Sequence, residues 1–98
     1  MTIKRVRWSR ELGWNPVAYV CSRRGWAVEI GFNPTEESEY RWCVQFAGNG
    51  HYRRSAEDAV EYCISRKWCR AENAGALVRK CYAAAEILTA DKGARDER

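Results

Sequence analysis

Ninety-eight residues leave room for one domain with one modest core, and a net charge of +4 with a pI near 8.9 is mildly basic, short of the bias of a dedicated nucleic-acid binder. His51 is the only histidine, and neither a phosphate-cradling nor a dinucleotide-binding glycine motif occurs, so the common catalytic classes lack their residues. No apolar run approaches the roughly 18 residues of a membrane span, and the first residues lack the apolar stretch of a secretion signal.

In chain order, Ile3 to Trp8 reads as a first strand, broken by Leu12-Gly13-Trp14-Asn15-Pro16, where glycine and proline both punctuate. Val17 to Ser22 is a second strand, and Arg23-Arg24-Gly25 turns it back. Trp26, Val28, Ile30 and Phe32 then alternate with Ala27, Glu29 and Gly31, a third strand with one strongly apolar face. Asn33 to Ser38 is an acidic loop. Tyr40, Trp42, Val44 and Phe46 alternate with Arg41, Cys43 and Gln45 in a fourth strand. Gly48-Asn49-Gly50 supplies residues that tolerate positive φ, as a tight hairpin requires, and His51 to Arg53 pairs back.

The period then changes from 2 to 3.6. Ser55 is the expected N-cap, with Glu57 and Asp58 in the first turn of a helix from about Ala56 to Arg66. A second helix carries Ala74, Leu77, Val78, Cys81, Ala84, Ala85 and Leu88 on one stripe. A single helix from Ala56 to Ala90 would be about 50 Å long, too long for so small a globule, so a break is expected near Trp68–Glu72. Gly93 is the expected terminator, leaving residues 92–98 as a charged flexible tail after a single domain over 1–91.

The fold class is therefore α+β: an antiparallel meander of four or five strands followed by two C-terminal helices packed on one face. Trp26, Val28, Ile30, Tyr40, Trp42, Val44 and Phe46 are the expected sheet side of the core. Val60, Ile64, Leu77, Val78, Cys81 and Leu88 are its expected helix side. The opposite sheet face, with Glu29, Arg41 and Gln45, is left for solvent or a partner.

Five cysteines, an odd number with no Cys-x-x-Cys pair, read as reduced free thiols in a cytoplasmic protein, with Cys43, Cys63 and Cys81 at positions that can face a core; no metal and no cofactor are expected. Charge is segmented. Residues 1–30 carry a net +4, residues 31–62 a net −3 and the remainder a net +3, a distribution that can form opposed patches. Trp, Tyr and Arg, the residues favoured at binding hot spots, are abundant. The expectation is a non-catalytic binding protein. Its contact residues are exposed cations and an aromatic at turns, edges and the solvent face: Arg5, Arg7, Trp8, Arg23, Arg24, Arg41, Arg53 and Arg54.

A compact, cysteine-rich chain of this length without a catalytic constellation resembles the small proteins that phages and mobile elements make against host defence, anti-CRISPR proteins among them. The resemblance implies a stoichiometric inhibitor or modulator of a larger protein or ribonucleoprotein complex. That class has no common fold or motif, so it carries no residue across. The alternative is a nucleic-acid-binding module using basic and aromatic residues such as Lys4-Arg5-Val6-Arg7-Trp8 and Tyr52-Arg53-Arg54. Oligomeric state is open.

Overall fold

The computed structural model describes the backbone of residues 5–7 and 9–96, with side chains over 9–93. The sheet strands are β1 (Arg5–Arg7), β2 (Asn15–Arg23), β3 (Trp26–Phe32), β4 (Trp42–Phe46) and β5 (Asn49–Arg53); the helices are α1 (Ala56–Ser65) and α2 (Ala74–Asp96). The five strands are antiparallel in the order β1-β5-β4-β3-β2, and both helices pack on one face. The α+β architecture is the one the period change implies. β2 to β5 form the meander, while β1 joins its far edge, pairing Arg5 with His51 and Arg7 with Asn49 rather than lying beside β2.

β4 is the central strand, and the β3–β4 register sets the core. Val28 lies opposite Phe46, Ile30 opposite Val44 and Phe32 opposite Trp42, with the Phe32 and Trp42 rings 4.8 Å apart. Cross-strand apolar pairs of this kind stabilise a sheet and pin its register. Against them α1 places Ala56, Ala59, Val60 and Cys63, and α2 places Cys81 and Ala85. These side chains are small, so the helices approach the sheet closely while the large residues sit on the strands. Ile64, Leu77, Val78 and Leu88 are only partly buried around this centre.

The reverse face is closed too, by a segment whose role the sequence hides. Trp14 is 1 % exposed, and its ring lies 6.0 Å from that of Tyr52. Tyr52 pairs with Cys43, which pairs with Gly31, so Trp14 covers the side of the sheet away from the helices. Asn33 holds this cover in place. Its side-chain amide donates to the Leu12 carbonyl (2.9 Å), and its oxygen accepts from the Thr35 N–H (3.0 Å) and hydroxyl (2.6 Å). Gly13, at φ +96°, passes so close that an added Cβ would sit 2.6 Å from the Asn33 oxygen. A fully buried Asn that satisfies its amide in this way fixes a loop; emptying the Trp14 site would cost about 3–5 kcal/mol.

Several expectations need correcting. Trp26 is 56 % exposed, because the last β3–β4 rung is Val28–Phe46 and no β4 residue lies beside Trp26. Tyr40 sits in a 3-10 turn (Ser38–Tyr40), where its ring meets Tyr52 edge-on at 5.1 Å rather than joining the helix-side core. Gln45 and Glu29 do share the reverse face, but Gln45 is buried and its amide donates to Glu29 (3.3 Å). Arg41 precedes β4, and its Nε donates to the Glu36 carbonyl (2.9 Å). The β4–β5 turn falls on Ala47-Gly48, one residue early, at φ +54° and +80°. Finally, α2 continues through Gly93 to Asp96. Glycine is tolerated inside a helix, and helical backbone here takes up the first residues of the expected tail.

Ser55 is the N-cap of α1. Its hydroxyl accepts from the Asp58 N–H (3.1 Å), and the Asp58 carboxylate accepts in turn from the Arg54 N–H (2.9 Å). Ser55→Ala is expected to lower unfolding stability by about 1 kcal/mol in a urea titration; an unchanged midpoint would show that the cap is not stabilising.

Candidate functional site

An antiparallel meander alternates its ends. The β2–β3 and β4–β5 turns therefore share one end of the sheet, and the C-terminus of α1 arrives there as well. α1 closes with a Schellman-type turn: the Trp68 N–H reaches the Cys63 carbonyl (2.9 Å), and the Lys67 N–H the Ile64 carbonyl (2.9 Å). Arg23 at the hairpin tip donates to the carbonyl of Lys67 at 3.4 Å, tying the β2–β3 turn to the α1–α2 connection.

That end is cationic. Arg23, Arg24, Arg66, Lys67, Arg70 and Lys80 are all exposed there. Aromatic side chains lie between them. The Arg66 guanidinium sits 5.4 Å over the Trp68 ring, which meets Phe46 at 5.6 Å and Tyr62 at 6.0 Å. Tyr19, 55 % exposed, and Trp26 extend the patch along the hairpin. Trp68 forms part of the wall of two cavities. One, of about 480 Å³ between β2 and α2, is bounded by Tyr19, Val20, Arg70, Asn73, Leu77 and Lys80. The other, of about 260 Å³ between β5 and α1, is bounded by Phe46, Asn49, His51, Tyr62 and Arg66. The one carboxylate in contact with these cations through a described ion pair is Glu72, 3.5 Å from Arg70, and both side chains are largely solvated. An exposed pair of that kind holds its partners weakly.

The other end is acidic, with Glu36, Glu37 and Glu39 on the loop before β4 and Glu57 and Asp58 at the start of α1. The Tyr82 hydroxyl donates to Glu57 at 2.5 Å, which holds that carboxyl below the usual range.

The structure divides the cations expected to form one surface. Arg23 and Arg24 are at the cationic end. Arg53 and Arg54 are at the acidic end, where Arg53 lies 3.6 Å from Asp58 and 4.8 Å over the Tyr62 ring. Arg41 is held by the acidic loop. Arg5 and Arg7 lie on the β1 edge by backbone register; their side chains, and all of Trp8, lie outside the described residues. The sequence reading left Arg66, Lys67, Trp68, Arg70 and Lys80 out of the contact surface, ending the first helix at about Arg66 and placing a break near Trp68–Glu72. The signal was present in Arg66-Lys67-Trp68-Cys69-Arg70, the same interleaving of cations and an aromatic that singled out the N-terminal segment.

Backbone strain marks the same end. Among the described residues, the non-glycine positions with positive φ are Arg24 (+53°), Ala47 (+54°) and Lys67 (+62°), one in each of its three turns. A left-handed L-residue costs about 1–2 kcal/mol. Asparagine or glycine would serve the fold better at each, and two of the three positions hold cations instead.

All five cysteines are free. Burial pushes the Cys63 thiol up to about 12 and Cys81 to about 11, and raises Cys43 and Cys69 as well. Thiols shifted in this direction are protonated at neutral pH and poor nucleophiles. Among the described residues no three Cys, His, Asp or Glu side chains form a group able to hold a metal ion, and no helix is long and apolar enough to cross a membrane. No protein-family model matches the chain, and comparison with curated proteins and with solved structures finds no similar one.

Two tests follow from this geometry. Lys67→Gly and Arg24→Asn should each raise unfolding stability by about 0.5–1 kcal/mol, because they relieve the left-handed backbone; a loss of stability in a thermal melt would show that the side chains stabilise the turns. The second test is alkaline. Cys63 and Cys81 have folded pKa values above the ordinary 9.0, so their contribution is fully present below pH 9 and is lost as the pH climbs towards 11 to 12. Stability should therefore fall from about pH 9 upward, and replacing Cys63 by Ala should flatten that fall; an unchanged profile would mean that these thiols do not govern it.

Proposed function

We propose that this chain is a small non-catalytic binding protein, a stoichiometric inhibitor or modulator of a larger macromolecular complex in the manner of phage anti-defence proteins. The observation that carries the reading is the cationic end, where exposed Arg70 and Lys80 line one hollow with Tyr19 and Trp68, and exposed Trp26 lies beside Arg23 and Arg24 at the hairpin tip. Trp, Tyr and Arg around partly desolvated hollows are the composition of binding hot spots, and an opposed acidic end orients an approaching anionic partner. Free thiols fit a reducing compartment, and the proposed location is the cytoplasm.

Docking through the sheet edges is the less favoured mode. β2 carries Pro16 and two register shifts, features that blunt an edge against strand addition. The test is charge reversal at the hairpin tip. Arg23→Glu with Arg24→Glu should weaken the complex recovered from a bacterial lysate at least about ten-fold, with an unchanged melting temperature. Reversal of Glu36 and Glu37 to Lys should leave it intact. Recovery of the same complex by the hairpin variant would overturn the reading.

A further inference from the structure

The cationic end holds more than charge, and its hollow narrows the chemistry of what it takes. Resting on the reading of that end as the docking face, we infer that the cavity between β2 and α2 receives an unstacked base of a single-stranded nucleic acid, with the surrounding cations on its phosphates. The cavity of about 480 Å³ falls within the about 300–1,000 Å³ of small-ligand sites. Its floor is apolar, from Val20, Leu77 and the Trp68 ring, and Tyr19 stands at its edge. Asn73 in the wall offers an amide able both to donate to and to accept from a base edge. Arg70 and Lys80 border the same cavity, and Arg23 reaches the Lys67 carbonyl beside it.

Aromatic rings between phosphate-binding cations are the arrangement by which proteins hold single strands, since every base has a face to stack. A duplex keeps its bases paired, so it would meet the charges and leave the cavity empty. An acidic protein surface would likewise neutralise the cations, and would fill the cavity only where it also presented an aromatic side chain. A single strand answers both features at once. The left-handed Arg24 and Lys67 then have a physical reading: cations held at turn positions that the fold alone would give to Asn or Gly.

The experiment is fluorescence anisotropy with a labelled oligothymidylate of about 12 nucleotides, within the site size of small single-strand binders. The comparators are the same length of duplex DNA and a polyglutamate peptide. The single strand should bind at least about ten-fold more tightly than either comparator. If about four of the cations meet phosphates, affinity should fall about 50-fold between about 50 and 200 mM salt. Tyr19→Ala should cost at least about five-fold in single-strand affinity and leave the salt slope alone. Arg70→Gln with Lys80→Gln should lower the slope by about one to two. All three side chains are exposed, so melting temperatures should hold. Equal binding of single strand, duplex and polyglutamate would overturn the base site and leave a purely electrostatic docking face, the proposed function intact. Absence of oligothymidylate binding, or indifference to Tyr19→Ala, would also overturn it. Loss of the lysate complex on hairpin reversal tests the broader reading separately.

Discussion

Everything else in this molecule hangs on three apolar rungs between β3 and β4: Val28–Phe46, Ile30–Val44 and Phe32–Trp42. They place large side chains on the strands, which is why the helices can present Ala56, Ala59, Cys63, Cys81 and Ala85 and still fill the core. A slip of one residue would turn the three apolar side chains of the slipped strand to the reverse face, where Trp14 already packs against Tyr52. One register thus decides both layers. It also decides where each turn falls, and through the turns where charge accumulates.

Because the rungs end at Val28–Phe46 on one side and Phe32–Trp42 on the other, the two ends of the sheet have different chemistry. Beyond Phe46 lie Arg23, Arg24, Trp26 and the connection carrying Arg66 to Arg70. Beyond Trp42 lie the acidic loop and the capped start of α1. At the acidic end the cations are engaged locally, Arg41 by the Glu36 carbonyl and Arg53 by Asp58. At the cationic end Arg23, Arg66 and Arg70 touch the Lys67 carbonyl, the Trp68 ring and Glu72 yet stay exposed, and the turns carrying Arg24 and Lys67 adopt the left-handed backbone that L-residues resist. A fold optimised for stability alone would fill those turns differently. On the proposed reading, the cations there serve contact with a partner.

Much of this was legible in the chain. Strict alternation over Trp26–Phe32 located β3 to the residue, and Ser55 with Glu57 and Asp58 marked the α1 cap. The core-facing positions of Cys43, Cys63 and Cys81 were readable from period. Trp14 was not, because it lies in a Gly- and Pro-containing break and is buried by a loop that folds back through Asn33, a long-range contact with no periodic signal. Trp26 misled for the opposite reason: its period is right, but the neighbouring strand ends before reaching it. Arg23 and Arg24 were legible as a hairpin tip. Their convergence with Arg66, Lys67, Arg70 and Lys80 was not, since three strands and a helix separate the two segments and only the sheet's topology joins them.

The central claim is that the cationic end, and not the acidic loop or the outer face of α2, meets the partner. Chemical-shift mapping tests it most directly, with the nitrogen-15-labelled protein titrated with single-stranded oligothymidylate at low salt. The account predicts amide shifts confined to β2 from Tyr19 to the hairpin tip, the α1–α2 connection from Arg66 to Asn73, and the first turns of α2 up to Lys80. Shifts centred on Glu36–Arg41 or on the C-terminal half of α2, with residues 23–26 and 66–70 unmoved, would contradict it.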